Sequence, residues 1–451
     1  MDWLALLCLH PVAVYQILAF PFAVLFTYLC FLGYLSVNAR YLFLLLGGLA
    51  LAFVAMGPYS VLILIPALCS VVLFHSVSPE SVYRWAFLLQ MTWQTLCHLW
   101  LHYKEYYLQE AASIRLCFAI SSLMLLTQRV TSLALDIHEG KVKGSMAANS
   151  QHQFSWRQPS NTALPFFTYL FFFPALLGGP LCSFTRFQTK IRQPGTHRTL
   201  APLWLAGQSC LFATALHVFK AFVKGRLSIG ADITSCIGFD CVRTMWATTQ
   251  LFKLVYYSQW LLDGSLFMAA GFGLEDRQEN EGFLQDLSGA DLWTLETTNR
   301  MSLFTRTWNR STSQWLRRLV FQHSRRHPLI KTFAFSAWWH GLHPGQLFGF
   351  LCWALMVEAD YRIHPYCRSL VKSRRCWWIC RVLSWAQTQL LVAYIMTAIE
   401  MRTLTSLWRL CVSYNSLFPL LYCVCLLFVA KTKSKGVNAT HACPGATSPR
   451  M

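Results

Sequence analysis

A histidine set in an otherwise apolar run, Phe333-Ala-Phe-Ser-Ala-Trp-Trp-His340-Gly-Leu-His-Pro344, is the side chain of this sequence best suited to proton transfer. Removal from water disfavours imidazolium, so an imidazole in such a run stays neutral and can accept a proton as a general base. Ionisable groups at membrane depth are costly and usually functional. The structural alternative is a histidine satisfied by a backbone carbonyl at a helix end. Asn309, thirty-one residues earlier, follows Trp308 in a strongly basic segment. Its amide could donate to a developing oxyanion or hold a substrate hydroxyl. It could equally cap the helix that follows, unless Ser311 or Thr312 does so. Asn309-Arg310-Ser311 is formally a glycosylation sequon, but a cytosolic basic setting argues against its use. Fully helical, the intervening residues would span about 46 Å. The two side chains meet only if the chain folds back, and Pro328 is the break that permits it.

Two further constellations are weaker. His98, His102 and Glu105 have i, i+4, i+7 spacing, which could set two imidazoles and a carboxylate around a metal. No companion ligands stand out, polar residues at a helix end facing a cavity explain them as well, and no metal is expected. Ser336 and His340 are also i, i+4, but there is no G-x-S-x-G elbow, so direct transfer is preferred to a serine-bound intermediate.

The elements that position these residues belong in a bilayer. Of 451 residues, 55% are hydrophobic and only 13% charged, where a soluble domain is about a quarter charged. Apolar stretches recur at 11–25, 41–56, 59–77, 85–101, 113–135, 163–181, 202–223, 244–271, 345–357, 382–398 and 407–430. Since about 20 apolar residues cross a bilayer, the chain reads as an all-α polytopic bundle of about eleven spans, one domain over 1–430. Runs broken at Pro174, at Gly178-Gly179-Pro180 and from His340 to Pro344 are expected to be re-entrant or to meet inside protein, where irregular backbone is covered. A signal peptide is not expected, because Met1-Asp2-Trp3 lacks a basic start.

The formal charge of +19 would suggest nucleic acid on a soluble chain. Here it marks cytosolic loops, and no nucleic-acid partner is expected. Arg300 to Lys331 carries eight cations and no acid, which puts the catalytic loop 300–331 on the cytosolic face. Segment 272–331 begins acidic, at Glu275, Asp276, Glu279 and Glu281. Arg40 after the first helix, and Lys431, Lys433 and Lys435 after the last, put the N-terminus in the lumen and the C-terminus in the cytosol. The tail 431–451 reads as disordered. The helix containing Trp315, Leu316, Leu319 and Val320 is amphipathic and is expected in the headgroup plane. Most of its arginines would be topogenic, with one or two able to grip coenzyme A phosphates. The seventeen cysteines make no zinc pattern. Whether Cys236 and Cys241 pair is left open.

The asparagine after tryptophan in a basic loop, the histidine about thirty residues on in an apolar helix, and around eleven spans resemble the membrane-bound O-acyltransferase family. Phe173-Pro174-Ala-Leu-Leu-Gly-Gly179-Pro180 is similar to that family's proline and Gly-Pro element. Met91-Thr-Trp-Gln-Thr-Leu-Cys-His98, Thr127-Gln-Arg-Val-Thr-Ser132, Trp315-Leu-Arg-Arg-Leu-Val-Phe-Gln-His-Ser324 and Phe333 to Gly345 resemble the branch that acylates a peptide. The similarity runs from Trp3 to about Lys433; the loop 141–160 and the extension after Gly436 do not share it.

The resemblance implies an endoplasmic-reticulum enzyme that moves a medium-chain acyl group, typically octanoyl, from acyl-coenzyme A to a serine near the N-terminus of the peptide ghrelin or its precursor proghrelin. Acyl-coenzyme A is a cosubstrate, and no permanently bound cofactor is implied. The family's paired residues fall on His340 and Asn309, and Arg306 is carried over as a donor-binding residue. The donor would enter from the cytosol and the peptide from the lumen. Two other readings remain at this stage: a lysophospholipid or sterol acyltransferase of the same family, and a transporter, channel or silent scaffold. Transporters often show inverted repeats, and none is evident here.

Overall fold

The protein is described by a computed structural model that covers residues 11–142, 160–192, 201–227, 236, 238–272, 289–370 and 373–427. The expectations placed on the N-terminal residues before Pro11, the acidic residues 275–281 and the tail 431–451 lie outside these. Every regular element among the described residues is helical.

Five helical stretches are long and apolar enough to cross a bilayer: Val14–Phe31, Val37–Ser76, Ile114–His138, Leu203–Gly225 and Arg374–Glu400. A sixth is possible if Leu404–Val412 and Tyr414–Leu427, bent by 69°, cross as one unit. The expected multi-pass helical bundle is therefore observed, with fewer unbroken spans than the apolar stretches counted along the chain. The remaining long helices carry polar and charged residues into the bundle. Phe239–Ala269, for example, buries Lys253 and Asp263. On the outside, Trp204, Leu211 and Val218 of the helix Ala201–Leu227 stand exposed, as lipid-facing side chains do when hydrocarbon is the solvent.

The helices are numbered here in chain order. α1 (Pro11–Phe31), α2 (Val37–Met56), α3 (Val61–Ser76), α4 (Val82–His102) and α5 (Ile114–His138) form an N-terminal group. α4 packs along α5, and α2 along α1. α6 (Ser160–Leu170) ends at the first expected break. A single 3-10 turn, Phe173–Ala175, precedes α7 (Phe184–Arg192), and α8 (Ala201–Leu227) follows. The backbone freed there is satisfied by buried side chains of α1, α5 and α6 itself. Tyr15 donates to the Phe173 carbonyl, Arg129 to that of Leu170 at 2.8 Å, and Tyr169 to that of Cys182 at 2.6 Å. A Cβ at Gly178 would lie 1.9 Å from Asp263 Oδ2, so a larger residue in this turn would displace the Asp263 carboxylate of α9 (Phe239–Ala269). Irregular backbone is covered by protein, as membrane depth requires.

The second half folds back as Pro328 predicted. α10 (Gly289–Thr297), α11 (Met301–Thr307) and α12 (Arg310–Leu316) lead through a π-turn, Arg317–Phe321, to α13 (Pro328–His340), with Pro328 in its first turn. α13 ends at Gly341, and α14 (Pro344–Leu370) returns alongside it. α15 (Arg374–Glu400) packs on both α14 and α9. The expectation that α12 and its continuation rest in the headgroup plane is corrected at Trp315. Its ring is 3% exposed, packs against Phe335 and Trp339 of α13, and donates to Thr131 of α5 at 3.0 Å. Periodicity established an apolar face, but that face is covered by protein.

Candidate active site

His340 is the last residue of α13, and the backbone turns away at Gly341, where φ is +124°. A Cβ there would lie 2.9 Å from His98 Nδ1, so the turn and the close approach of α4 both require glycine. The imidazole stacks on Phe350 at 4.9 Å between centroids and meets Trp339 edge-on at 4.8 Å. It is surrounded by protein yet keeps part of its surface open to an internal cavity. At thirteen residues α13 is too short to cross a bilayer. Burial, reinforced by the neighbouring His98, pushes the His340 imidazolium down to about 4. The ring is therefore neutral near pH 7, the form a general base needs.

Asn309 sits at the N-cap position of α12, as the capping alternative anticipated, but its side chain makes no capping bond. Its φ is +43°, in the left-handed region that asparagine tolerates better than other non-glycine residues. The preceding ring fixes the turn: Trp308 is packed among Trp260 at 4.9 Å, Tyr256 at 5.5 Å and Phe304 at 5.6 Å. Ser311 and Thr312 lie inside the helix, and Thr312 accepts a 3.0 Å hydrogen bond from Gln128 of α5. Asn309 is thus held in place with its amide unspent.

Both side chains line one cavity of about 1070 Å³, at the upper end of ordinary ligand pockets. It runs along α13 and α14. Around His340 its wall includes Phe350 and Trp353; towards the start of α13 it includes Leu329 and Tyr361. Ser336 and Arg306 also face it. Arg306 is exposed, with Nε donating to the Ser302 carbonyl at 3.2 Å.

Five arginines of the basic segment lie close to this region. Arg318 is committed to Asp136 and Glu139 at 2.8 and 2.9 Å, and Arg300 to Asp360 at 3.2 Å. Arg306, Arg310 and Arg317 line the cavity. Asp360, 1% exposed, also accepts from the Ser302 backbone N–H at 3.2 Å. It thereby caps α11, whose own N-cap residue, Arg300, supplies no side-chain bond. Trp353 Nε1 donates to Thr305 at 2.7 Å. Two side chains of α14 therefore hold the short helix that carries Arg306.

His98, His102 and Glu105 have partners other than a shared ion. Among the described residues no cluster of His, Cys, Asp or Glu is arranged to hold a metal. His98 and His102 instead meet backbone carbonyls at the end of α13. Gln94 donates to the Trp339 carbonyl, with its own oxygen bonded by Thr127 at 2.8 Å. His98 Nε2 is 3.3 Å from the same carbonyl, and His102 Nε2 2.7 Å from that of Gly341. Glu105 pairs with Arg402. Gln94, Thr127 and Gln128 were missed as positioning residues; the available signal was polar side chains spaced along otherwise apolar runs.

Residues 111–400 match the model of the membrane-bound O-acyltransferase family. Over 441 residues the chain is 53% identical to the membrane-bound ghrelin O-acyltransferase of Rattus norvegicus and 54% identical to that of Mus musculus. In each case the match covers 96% of this chain and 100% of the relative. It is 26% identical over 424 residues to membrane-bound glycerophospholipid O-acyltransferase 1 of Homo sapiens, covering 88% of this chain and 83% of that protein.

Proposed function

Because the chain belongs to the membrane-bound O-acyltransferase family, we propose that it transfers a medium-chain acyl group, octanoyl, from acyl-coenzyme A to a serine near the N-terminus of ghrelin. The observation that carries this reading is identity above one half across the full length of two relatives named for that activity. The cavity shared by His340 and Asn309 supports it chemically.

In this reading His340 takes the serine hydroxyl proton as the oxygen attacks the thioester carbonyl. Asn309 donates to the tetrahedral oxyanion or orients the hydroxyl. The proton then passes from the imidazolium to the departing thiolate. Arg306, with Arg310 and Arg317, would meet the coenzyme A phosphates from the cytosolic side. The compartment is the endoplasmic reticulum, with the N-terminus lumenal and the C-terminus cytosolic. The disulfide between Cys236 and Cys241, at the start of α9, supports an oxidising environment at that end of the bundle.

The deciding assay offers labelled octanoyl-coenzyme A to the purified enzyme with either a ghrelin N-terminal peptide or a lysophospholipid. Label on the peptide serine is expected. Label on the lysolipid alone would move the chain to the glycerophospholipid branch.

Two further results are expected. The imidazole must be neutral to act, so protonation removes activity as pH falls through the His340 value of about 4. The kcat/KM profile for the peptide should stay level between about pH 6 and 8 on the histidine's account, with its acid limb below that window. A limb near pH 6.5 would mean the base is not a desolvated histidine. The acyl chain would lie along the aromatic wall, so Trp353→Ala should shift the preference among octanoyl, decanoyl and dodecanoyl donors towards longer chains. The shift should be about tenfold in relative kcat/KM, the lower end of what one methylene is worth in an apolar pocket.

A further inference from the structure

We infer that Glu400, on the cavity wall at the end of α15, binds the α-ammonium group of the peptide acceptor; this rests on the acyl-transfer reading above. Glu400 lines the same cavity as His340, and among the described residues no cation lies within ion-pair distance of it. Its neighbour Arg402 is engaged by Glu105. Glu400 is thus a carboxylate in a substrate-sized space, beside a cation already neutralised by another acid.

Its position in the fold gives the choice of ligand. The end of α15 abuts the chain just beyond His340: Gly345 N–H donates to the Met401 carbonyl at 3.1 Å, and a Cβ on Gly349 would meet Ile399. Glu400 therefore lies at the imidazole end of the cavity, away from Leu329 and the start of α13. The same end carries the disulfide. α15 runs beside α9 with Gln389 bonded to Lys253 and Thr249 bonded to the Ala393 carbonyl. Met245 packs with Ala398, and Cys241 is one helical turn further on. Glu400 thus faces the side that the Cys236–Cys241 bridge marks as oxidising, from which a secretory peptide arrives.

A serine near a peptide N-terminus brings a positive charge with it. At about 3.3–3.6 Å per extended residue, the α-ammonium of a peptide acylated at position two, three or four follows the hydroxyl into the site. A carboxylate at the imidazole end meets that charge and reads how far the serine lies from the terminus. Arg402, paired to Glu105, leaves a net negative contribution from Glu400 to receive it.

The test compares wild type and Glu400→Gln with two short peptides of one sequence, one with a free α-amine and one α-N-acetylated. Glu400→Gln should raise KM for the free-amine peptide about tenfold to a hundredfold, the scale of a lost charge-assisted hydrogen bond. KM for octanoyl-coenzyme A should be unchanged. Acetylation should impose a similar penalty on wild type and little further penalty on Glu400→Gln. Equal use of both peptides by wild type overturns the inference while leaving acyl transfer intact. So does a wild-type KM in Glu400→Gln, or two penalties that multiply independently. If Glu400→Gln does not fold, Glu400→Asp in the same two-peptide comparison decides: an acetylation penalty as large as that of wild type supports the inference, and no penalty overturns it. Wild type acylating neither peptide defeats the acyl-transfer reading and this inference together.

Discussion

His340→Ala should lower acyl transfer to the peptide by about 10²–10⁴-fold, the usual contribution of a general base, with binding of octanoyl-coenzyme A retained. The imidazole stands at a cavity wall with Phe350 against one face and Trp339 at its edge, so truncation leaves a void between rings that already touch other partners. Trp339 remains packed on Trp315, and Phe350 lies parallel to Trp353. The fold should survive and the loss should appear in kcat. Single-turnover transfer at saturating donor measures it directly, and a wild-type rate in detergent would remove His340 from the mechanism.

Asn309→Gly should cost about 10²–10³-fold, the scale of one missing oxyanion donor. Glycine tests the amide more cleanly than alanine. The backbone at Asn309 has φ +43°, which alanine would adopt only with strain and glycine adopts freely. The asparagine makes no capping bond, so its removal forfeits no helix contact. Asn309→Gly should therefore match wild type in thermal stability and in KM for the donor, with kcat alone reduced. A stable variant with unchanged kcat would make Asn309 a turn residue only.

The parts of this molecule legible in its sequence were those fixed by local composition. Long uncharged runs announced helices in lipid, Pro174 to Pro180 announced a break, and Pro328 announced the fold-back that brings Asn309 and His340 to one cavity. The tertiary pairings were not legible. Gln94 and Trp339 meet across two helices far apart in the chain, as do Lys253 and Glu296 at 2.8 Å, and hydropathy carries no record of which buried polar group finds which. His98 and His102 show the limit from another side. Their i, i+4 spacing places two imidazoles on one helix face whether a metal or two carbonyls of α13 wait opposite. Trp315 shows a third limit, because an apolar stripe looks the same against lipid and against protein.

The placement of His340 as the final residue of its helix, just before Gly341, sets the imidazole in the field of that helix. The peptide dipoles of α13 sum to a partial negative charge at its carboxyl end, next to the ring. Neutral imidazole gains little from that field, whereas the imidazolium that the proposed attack on the thioester would form gains about 0.3–2 kcal/mol. In the proposed reaction the helix end would therefore favour the activated complex over the resting enzyme, which is the condition for raising turnover rather than tightening binding.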